Sequence, residues 1–297
     1  GAIPGTSPNL RALHEQFNGS SWTEAGDLGT AKYGLGTLGT PSAALATGGY
    51  SGSYTNTTEN WNGSSWTAGT SMGSTRAYFG ASGTTTAGIV YGGLNPGVSP
   101  AYVNQTEKWN GSAWTETGDL NTRRRAGGQS QNGTQTATMY TGGETPSKNA
   151  NTEQFDGTSW TEVSDLNTAR AHQWSFGTST ATILCGGEVP PRTAKTESWD
   201  GSAWTEVNDL ANASVANAAS GGGTATSGIV GLQYTGSLTT LSEQWDFPLP
   251  TASTLQEGQM WFNTSSSTLK AFGKSVPTGT FASGGNLNTQ RLDATAG

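Results

Sequence analysis

Charged side chains are scarce in this chain of 297 residues, because Asp, Glu, Lys and Arg together make up only 12% of it. The formal net charge is −7, and the longest basic run is Arg123-Arg124-Arg125. Phosphate binding needs clustered Lys and Arg, so this pattern argues against nucleic acid as a partner. An aromatic content of 9% argues against intrinsic disorder, which is typical of chains with few aromatics and high net charge.

Cysteine and histidine are almost absent. Cys185 is the single cysteine, so no internal disulfide can form, and its apolar surroundings favour a buried hydrophobe over a reactive thiol. The two histidines, His14 and His172, fall at non-equivalent positions, which argues against a histidine metal site or a Ser-His-Asp triad. We therefore expect no metal, no cofactor and no enzymatic activity.

Long apolar runs are also missing. No stretch approaches the roughly 20 residues that a membrane-spanning helix needs, and no signal peptide is visible. We therefore expect no membrane insertion.

Glycine, in contrast, is abundant, with 44 residues, and much of it belongs to a repeated motif. The motif consists of an acid, an aromatic residue, an Asn-Gly or Asp-Gly turn and a tryptophan. The tryptophans that end the motif are 44 to 48 residues apart: Trp22, Trp66, Trp114, Trp160 and Trp204. A period of this size indicates a propeller or a solenoid, in which each unit buries its apolar face against its neighbours.

Each period divides into four short strands. The fourth period predicts strands at 168–176, 180–185, 195–199 and 203–207. Gly186-Gly187 ends the second strand, and Asp200-Gly201 predicts a type I′ turn between the third and fourth. Four strands with tight turns are the layout of a propeller blade.

The paired glycines after the second strand and the aromatic pair in strands three and four resemble the kelch family of β-propellers. The glycine pairs stand at 48–49, 92–93, 142–143 and 186–187. The resemblance covers nearly the whole chain. It implies an all-β propeller with four-stranded blades and leaves the function open.

The ends of the chain suggest a blade number. Residues 1–17 align without a gap on 93–109, and 281–291 keep the spacing of 160–170. We predict a six-bladed kelch-type β-propeller with an inserted β-hairpin near the C-terminus. The alternative is that the chain is a segment of a longer protein that contains tandem propellers. Kelch blades occupy 1–247, and a linker and the inserted hairpin occupy 248–278. Residues 279–297 are the fourth and first strands of a further blade, completing the ring or starting the next repeat.

The inserted segment at 258–273 resembles a hairpin of phage fibre and other virion proteins, here beside kelch repeats like those of marine bacteriophage structural proteins. The resemblance implies a non-enzymatic virion structural protein, in a tail fibre, a head fibre or a capsid decoration. Its partners would be other virion proteins, further copies of itself and a host-surface glycan. The alternative is a secreted carbohydrate-binding lectin or a glycosidase-like propeller.

Two sets of residues are candidates for sites. A basic residue opens five of the first strands, which line a propeller's channel. These cations either form a ring at the channel mouth that binds an anion or, as we favour, pair with repeat carboxylates such as Glu59 and Glu153. The five are Lys32, Arg76, Arg124, Arg170 and Arg291.

Nine of the eleven tryptophans belong to the aromatic pair, where packing between blades explains them. Trp174 and Trp261 fall outside it and are candidates for surface binding. We expect any ligand site on the loops that follow the glycine pairs, at 95–102, 144–149 and 188–192, because these loops vary most between repeats.

Overall fold

The computed structural model describes residues 10–216, 222–231, 234–235 and 242–246, together with the backbone of three further strands. All regular structure in this part of the chain is β. The described residues contain no helix of the length and hydropathy that a membrane crossing requires. The strands are β1 (His14–Phe17), β2 (Trp22–Ala25), β3 (Gly36–Thr40), β4 (Ala43–Thr47), β5 (Thr58–Trp61), β6 (Trp66–Gly69), β7 (Gly80–Gly83), β8 (Gly88–Tyr91), β9 (Thr106–Trp109), β10 (Trp114–Thr117), β11 (Gly128–Gln129), β12 (Thr138–Thr141), β13 (Thr152–Phe155), β14 (Trp160–Val163), β15 (Trp174–Thr178), β16 (Ala181–Cys185), β17 (Thr196–Trp199), β18 (Trp204–Val207), β19 (Gly222–Thr224), β20 (Ser227–Gly231), β21 (Ser242–Asp246), β22 (Met260–Asn263), β23 (Thr268–Ala271) and β24 (Thr280–Ser283).

The strands form five antiparallel four-stranded sheets, which we number as blades in chain order. Blade 1 is β3 to β6, blade 2 is β7 to β10, blade 3 is β11 to β14 and blade 4 is β15 to β18. Blade 5 consists of β19, β20, β21 and β24, and the hairpin β22–β23 lies in sequence between its last two strands. The prediction of an all-β propeller is therefore confirmed.

The number of blades differs from the prediction: five four-stranded blades are present in the described chain, not six. The hairpin β1–β2 carries the aromatic pair of a sixth unit, with Phe17 opposite Trp22 as Trp61 is opposite Trp66. Trp22 packs against Phe17 and against Ile229 of blade 5, and the His14 ring lies 4.7 Å from that of Trp61 in blade 1. This unit has two strands among the described residues, because 288–297, the predicted source of its first strand, lie outside them.

The innermost strands begin later than the sequence predicts. The predicted strand 168–176 is observed as β15, which starts only at Trp174. His172 has a φ of 56°, which interrupts the extended backbone, and its N–H donates to the Ala126 carbonyl in the segment leading into blade 3 (2.8 Å). The segment before β15 thus bonds to the neighbouring blade through His172 and to its own blade through the bridge between Ala171 and Glu188.

The hairpin turn also differs from the type I′ turn predicted. Trp199 pairs with Trp204, which leaves a four-residue connection in which only Gly201 has a positive φ, of 99°. Asp200 Oδ1 accepts the backbone N–H groups of Ser202 (2.8 Å) and Ala203 (2.9 Å). The turn is therefore stabilised by the side chain of its first residue, a role that Asn and Asp both fill.

The core lies between adjacent blades. Trp160 of blade 3 packs on Tyr91 of blade 2, with ring centroids 4.7 Å apart, and its Nε1 donates to Thr106 Oγ1 (3.0 Å). Trp174 and Cys185 of blade 4 are fully buried in one cluster with Trp245 of blade 5. Each blade therefore buries its apolar face against the next, as repeat architectures require.

Candidate ligand-binding site at the channel mouth

The cations at the starts of the first strands are buried in ion pairs. The side chains of Lys32, Arg76, Arg124 and Arg170 have no exposed surface. Their partners are third-strand glutamates of the same blade, at N–O distances of 3.1 Å for Lys32–Glu59, 2.7 Å for Arg76–Glu107, 2.5 Å for Arg124–Glu153 and 2.9 Å for Arg170–Glu197. The ion-pair interpretation therefore holds for these four residues, and they are not available to bind an anion at the mouth. Arg291 lies outside the described residues.

Each pair also fixes the connection that enters its blade. Glu107 accepts the backbone N–H groups of Gly73 (2.6 Å) and Ser74 (3.2 Å), which lie between β6 and β7. Arg76 donates to the carbonyls of Gln105 (2.6 Å) and Gly92 (3.2 Å). Burial lowers the pKa of the Arg76 guanidinium, whereas the adjacent Glu107 opposes this shift. The pairs thus stabilise the frame that carries the channel mouth.

The first strands surround the propeller axis. In the described part of the chain, β3 lies beside β7, β7 beside β11, β11 beside β15, and β15 beside β19. Two residues after Arg76, Arg124, Arg170 and Ser214, the backbone N–H donates to the carbonyl of the equivalent residue in the preceding blade, at 2.7–2.8 Å. This belt of hydrogen bonds runs through Gly34, Tyr78, Ala126, His172 and Ala216.

Three belt residues other than glycine adopt left-handed backbone conformations. The φ angles are 57° at Tyr78, 54° at Ala126 and 56° at His172. This conformation costs an L-residue on the order of 1–2 kcal/mol. Blade 1 has a glycine at the same place, Gly34, so the belt needs no side chain there. Bulky residues at Tyr78 and His172 therefore point to a role for their side chains.

A cavity of about 660 Å³ lies at this end of the channel. Tyr78 and His172 line it from the belt, their rings 6.2 Å apart and nearly perpendicular. The loops at 144–148 and 188–192 form its sides, together with Val215 and Tyr234 of the segments beside blade 5. Two of the three loops predicted to bind a ligand thus meet at one cavity.

The third predicted loop, 95–102, reaches the same region through Tyr102. The Arg125 guanidinium lies over the rings of both Tyr78 and Tyr102, with Cζ 5.3 Å and 5.7 Å from the ring centroids. The rings of Tyr33 and Tyr50 continue this aromatic side, since Tyr33 lies 5.9 Å from Tyr78 and 5.2 Å from Tyr50. The mouth therefore has an aromatic side and a charged side.

The charged side is a network of ion pairs. Glu144 binds Arg125 (2.7 Å) and Lys148 (2.5 Å), and Lys148 also binds Glu188 (2.9 Å). Burial opposes ionisation of Glu144, but the hydrogen bonds from Lys148 and Arg125 outweigh it and lower its pKa. Burial likewise opposes the charge on Lys148, whereas its bonds to Glu144 and Glu188 raise its pKa. Both groups are therefore charged at neutral pH.

His172 is neutral at neutral pH, because burial lowers its pKa to about 4. Its Nδ1 is enclosed and makes no hydrogen bond with the described residues. The ligand atoms of Glu144, His172 and Glu188 lie within 4.8 Å of one another, a spacing that would suit a metal ion. The Lys148 ammonium already binds both carboxylates, so the geometry favours an internal ion network over a metal site.

Trp174 is not a surface residue, contrary to the sequence-based prediction. Its side chain is fully buried between blades 4 and 5, because it begins β15 and faces the neighbouring blade. The Trp261 side chain lies outside the described residues. Cys185 is fully buried, and burial raises the pKa of its thiol.

A second cavity, of about 350 Å³, lies between the hairpin β1–β2 and the inner strands of blades 1 and 5. Phe17, Trp66 and Gln244 are among the residues that line it. The sequence predicted for the first strand of the sixth unit lies outside the described residues. We therefore assign it no ligand.

Tyr78, Arg125 and His172 were not predicted from the sequence as site residues. They lie in the segments before the first strands, and these segments were predicted to be part of the strands. A signal was present: Tyr78 and His172 occupy the position that is glycine in blade 1.

No protein-family model matches this sequence, and no curated protein matches it. Among solved structures, the chain is similar to that of YjhT, with a TM-score of 0.63 and 12% sequence identity over 82% of this chain and 97% of that one. At this identity the similarity concerns the fold alone. It supports the same class that the sheets define, a β-propeller.

Proposed function

We propose that this protein is a non-enzymatic adhesion module, a kelch-type propeller of a bacteriophage virion structural protein that binds a host-surface glycan at the channel mouth. It would belong to a tail fibre, a head fibre or a capsid decoration. The observation that carries the proposal is that side chains not required by the repeat are concentrated at one cavity.

Equivalent positions around the ring differ in how far the blades agree. Where the fold imposes a residue, the blades agree: Glu59, Glu107, Glu153, Glu197 and Glu243 occupy one position. At the mouth they disagree. The belt position holds Gly34, Tyr78, Ala126, His172 and Ala216. The position after the glycine pair holds Tyr50, Leu94, Glu144 and Glu188. Variation on a uniform scaffold marks where a function is added to a fold.

The chemistry of the mouth suits a saccharide. Tyr78 lines the cavity, with Tyr33 and Tyr50 beyond it, and offers an aromatic surface that a pyranose ring can contact. Arg125, Glu144 and Lys148 offer charged groups that can bond to hydroxyls. A cavity of about 660 Å³ is within the range of small-molecule sites, roughly 300–1,000 Å³.

The virion assignment has separate support. The segment that resembles a virion-protein hairpin forms an antiparallel hairpin, with Met260 opposite Ala271 and Asn263 opposite Thr268. A propeller with buried ion pairs within its blades and a hydrogen-bond belt between them also suits exposure outside a cell. Mass spectrometry of purified particles would test the assignment; absence of the protein from particles that carry its gene would contradict it.

The two alternatives, a lectin and a glycosidase-like propeller, differ in whether the protein catalyses hydrolysis. A glycosidase needs one carboxyl group with a raised pKa to act as the general acid. Hydrogen bonds from Lys148 and Arg125 instead lower the pKa of Glu144, and Lys148 also holds Glu188. Glu144 is therefore not prepared to donate a proton, which favours binding over hydrolysis.

The belt provides a sharp test of ligand binding. The double variant Tyr78→Gly and His172→Gly removes both belt side chains from the cavity while leaving the backbone conformation that Gly34 adopts. Ala126→Gly is the matched control, because it changes the same belt position in a blade where the residue does not line the cavity.

Binding would be measured on an array of immobilised bacterial polysaccharides. We expect the double variant to lose at least tenfold in affinity while Ala126→Gly binds like the wild type. Equal binding by the double variant and the control would contradict a site at the mouth. No binding by the wild type to any glycan would contradict the proposed adhesion.

A further inference from the structure

One cation in the cavity lacks a carboxylate partner. Arg125 and Lys148 are both paired with Glu144. Arg192 also lines the cavity, yet no carboxylate of the described residues lies within ion-pair distance of it. With His172 neutral, three cations face two carboxylates, which leaves one positive charge at the Arg192 side of the mouth.

Arg192 is held in place by neutral groups. Its guanidinium lies over the Tyr234 ring, with Cζ 5.1 Å from the centroid, and one Nη2–H donates to the Thr235 carbonyl (3.2 Å). Its remaining N–H groups make no hydrogen bond with the described part of the chain. Stacking therefore orients the guanidinium plane and leaves several donors for a ligand.

The loop that carries Arg192 is fixed at both ends. At its start, Glu188 and Ala171 exchange backbone hydrogen bonds, at 2.7 Å and 3.3 Å. At its end, the Thr193 N–H donates to the Gly187 carbonyl (2.9 Å). A guanidinium on such a loop loses less freedom on binding than one on an unrestrained loop.

We propose that the ligand of the channel mouth carries an anionic group, a carboxylate or a phosphate, and that Arg192 binds it. This inference rests on the proposed function and specifies its ligand class. A planar guanidinium matches both anions through two parallel hydrogen bonds. Arg125 and Lys148 are already paired with Glu144 and Glu188, so the charged group of the ligand faces Arg192 and its neutral part faces Tyr78.

The test uses three polymers in solution: polygalacturonate, which carries carboxylates; a teichoic acid, which carries phosphodiesters; and neutral dextran. Arg192→Gln removes the charge, and Arg192→Lys keeps it without the planar fork. Arg123→Gln is the matched control, because Arg123 is exposed and does not line the cavity. Thermal unfolding of every variant would confirm that each is folded.

We expect the wild type to bind an anionic polymer at least tenfold more tightly than dextran, and binding to weaken as salt rises. Arg192→Gln should abolish this preference, Arg192→Lys should reduce it in part, and Arg123→Gln should leave it unchanged. The preferred polymer identifies the anion. An anionic preference that survives Arg192→Gln would overturn the inference. Binding to dextran or to neutral array glycans alone would also overturn it while leaving the adhesion proposal intact.

Discussion

Arg124 and Glu153 form an ion pair in which neither side chain has any exposed surface, with 2.5 Å between Nη1 and Oε1. Glu153 also accepts the backbone N–H groups of Asn121 (2.7 Å) and Thr122 (3.2 Å). The pair therefore joins the connection between blades 2 and 3 to the third strand of blade 3. A buried charge without its partner is strongly destabilising, which leads to the first prediction.

Glu153→Gln should lower the free energy of unfolding by about 3–5 kcal/mol, because it leaves the Arg124 charge buried without compensation. Glu206→Gln is the control: Glu206 pairs with Lys195 at 3.3 Å, but about half of its side chain is exposed. That change should cost less than about 1 kcal/mol. Urea denaturation would compare the two, and equal losses would contradict the structural role of the buried pair.

The belt conformation predicts an unusual response to glycine. Replacing a buried alanine by glycine normally costs about 1–2 kcal/mol, through the lost methyl group and the added freedom of the unfolded chain. Ala171→Gly should show this cost. Ala126→Gly should be roughly neutral, because relief of the left-handed strain at φ 54° offsets it. Thermal unfolding would measure both variants; an equal loss in the two would show that Ala126 is not strained.

His172 should make stability depend on pH. Its folded-state pKa of about 4 lies below the ordinary value of about 6.5, so the unfolded chain takes up the proton first. The contribution of His172 is therefore complete above about pH 6.5 and is lost as the pH falls toward 4, by up to about 1.4 kcal/mol per pH unit.

The matched variant is His172→Asn, since Asn tolerates left-handed backbone and does not titrate. Urea denaturation between pH 7.5 and 4 should show the wild type losing more stability than the variant across this window. Parallel curves would mean that the imidazole is not buried in its neutral form.

Cys185 should be inert in the folded protein. Its thiol is fully buried, and burial raises its pKa, so almost no thiolate forms at pH 8. A thiol reagent such as iodoacetamide should therefore label it only after denaturation. Rapid labelling of the native protein would contradict the packing of blade 4 against blade 5.

The propeller class could be predicted from the sequence because each repeat contains the residues that determine one blade. The aromatic pair, such as Trp199 and Trp204, needs a neighbouring blade to bury it. The acid–base repeat, such as Arg170 and Glu197, indicates an ion pair within each blade. The number of complete blades did not follow, because the prediction of a sixth blade depended on 288–297, which lie outside the described residues.

The channel mouth could be predicted only in part. Sequence variation located the loops at 144–149 and 188–192, and these do meet at the cavity. Tyr78 and His172 were missed because only the equivalent Gly34, and not their own local sequence, signals a left-handed backbone, which tertiary hydrogen bonds impose. Trp174 was misassigned because its position outside the aromatic pair says nothing about the face it presents to blade 5.

The most direct test of a ligand site at the channel mouth is a crystal structure of the protein with an oligosaccharide selected from the polysaccharide array. We predict density for the sugar between Tyr78 and Arg192, with a pyranose ring against the tyrosine and an anionic group on the guanidinium. Density at the Asn-Gly and Asp-Gly hairpins on the outer side of the blades, with the mouth empty, would contradict the assignment.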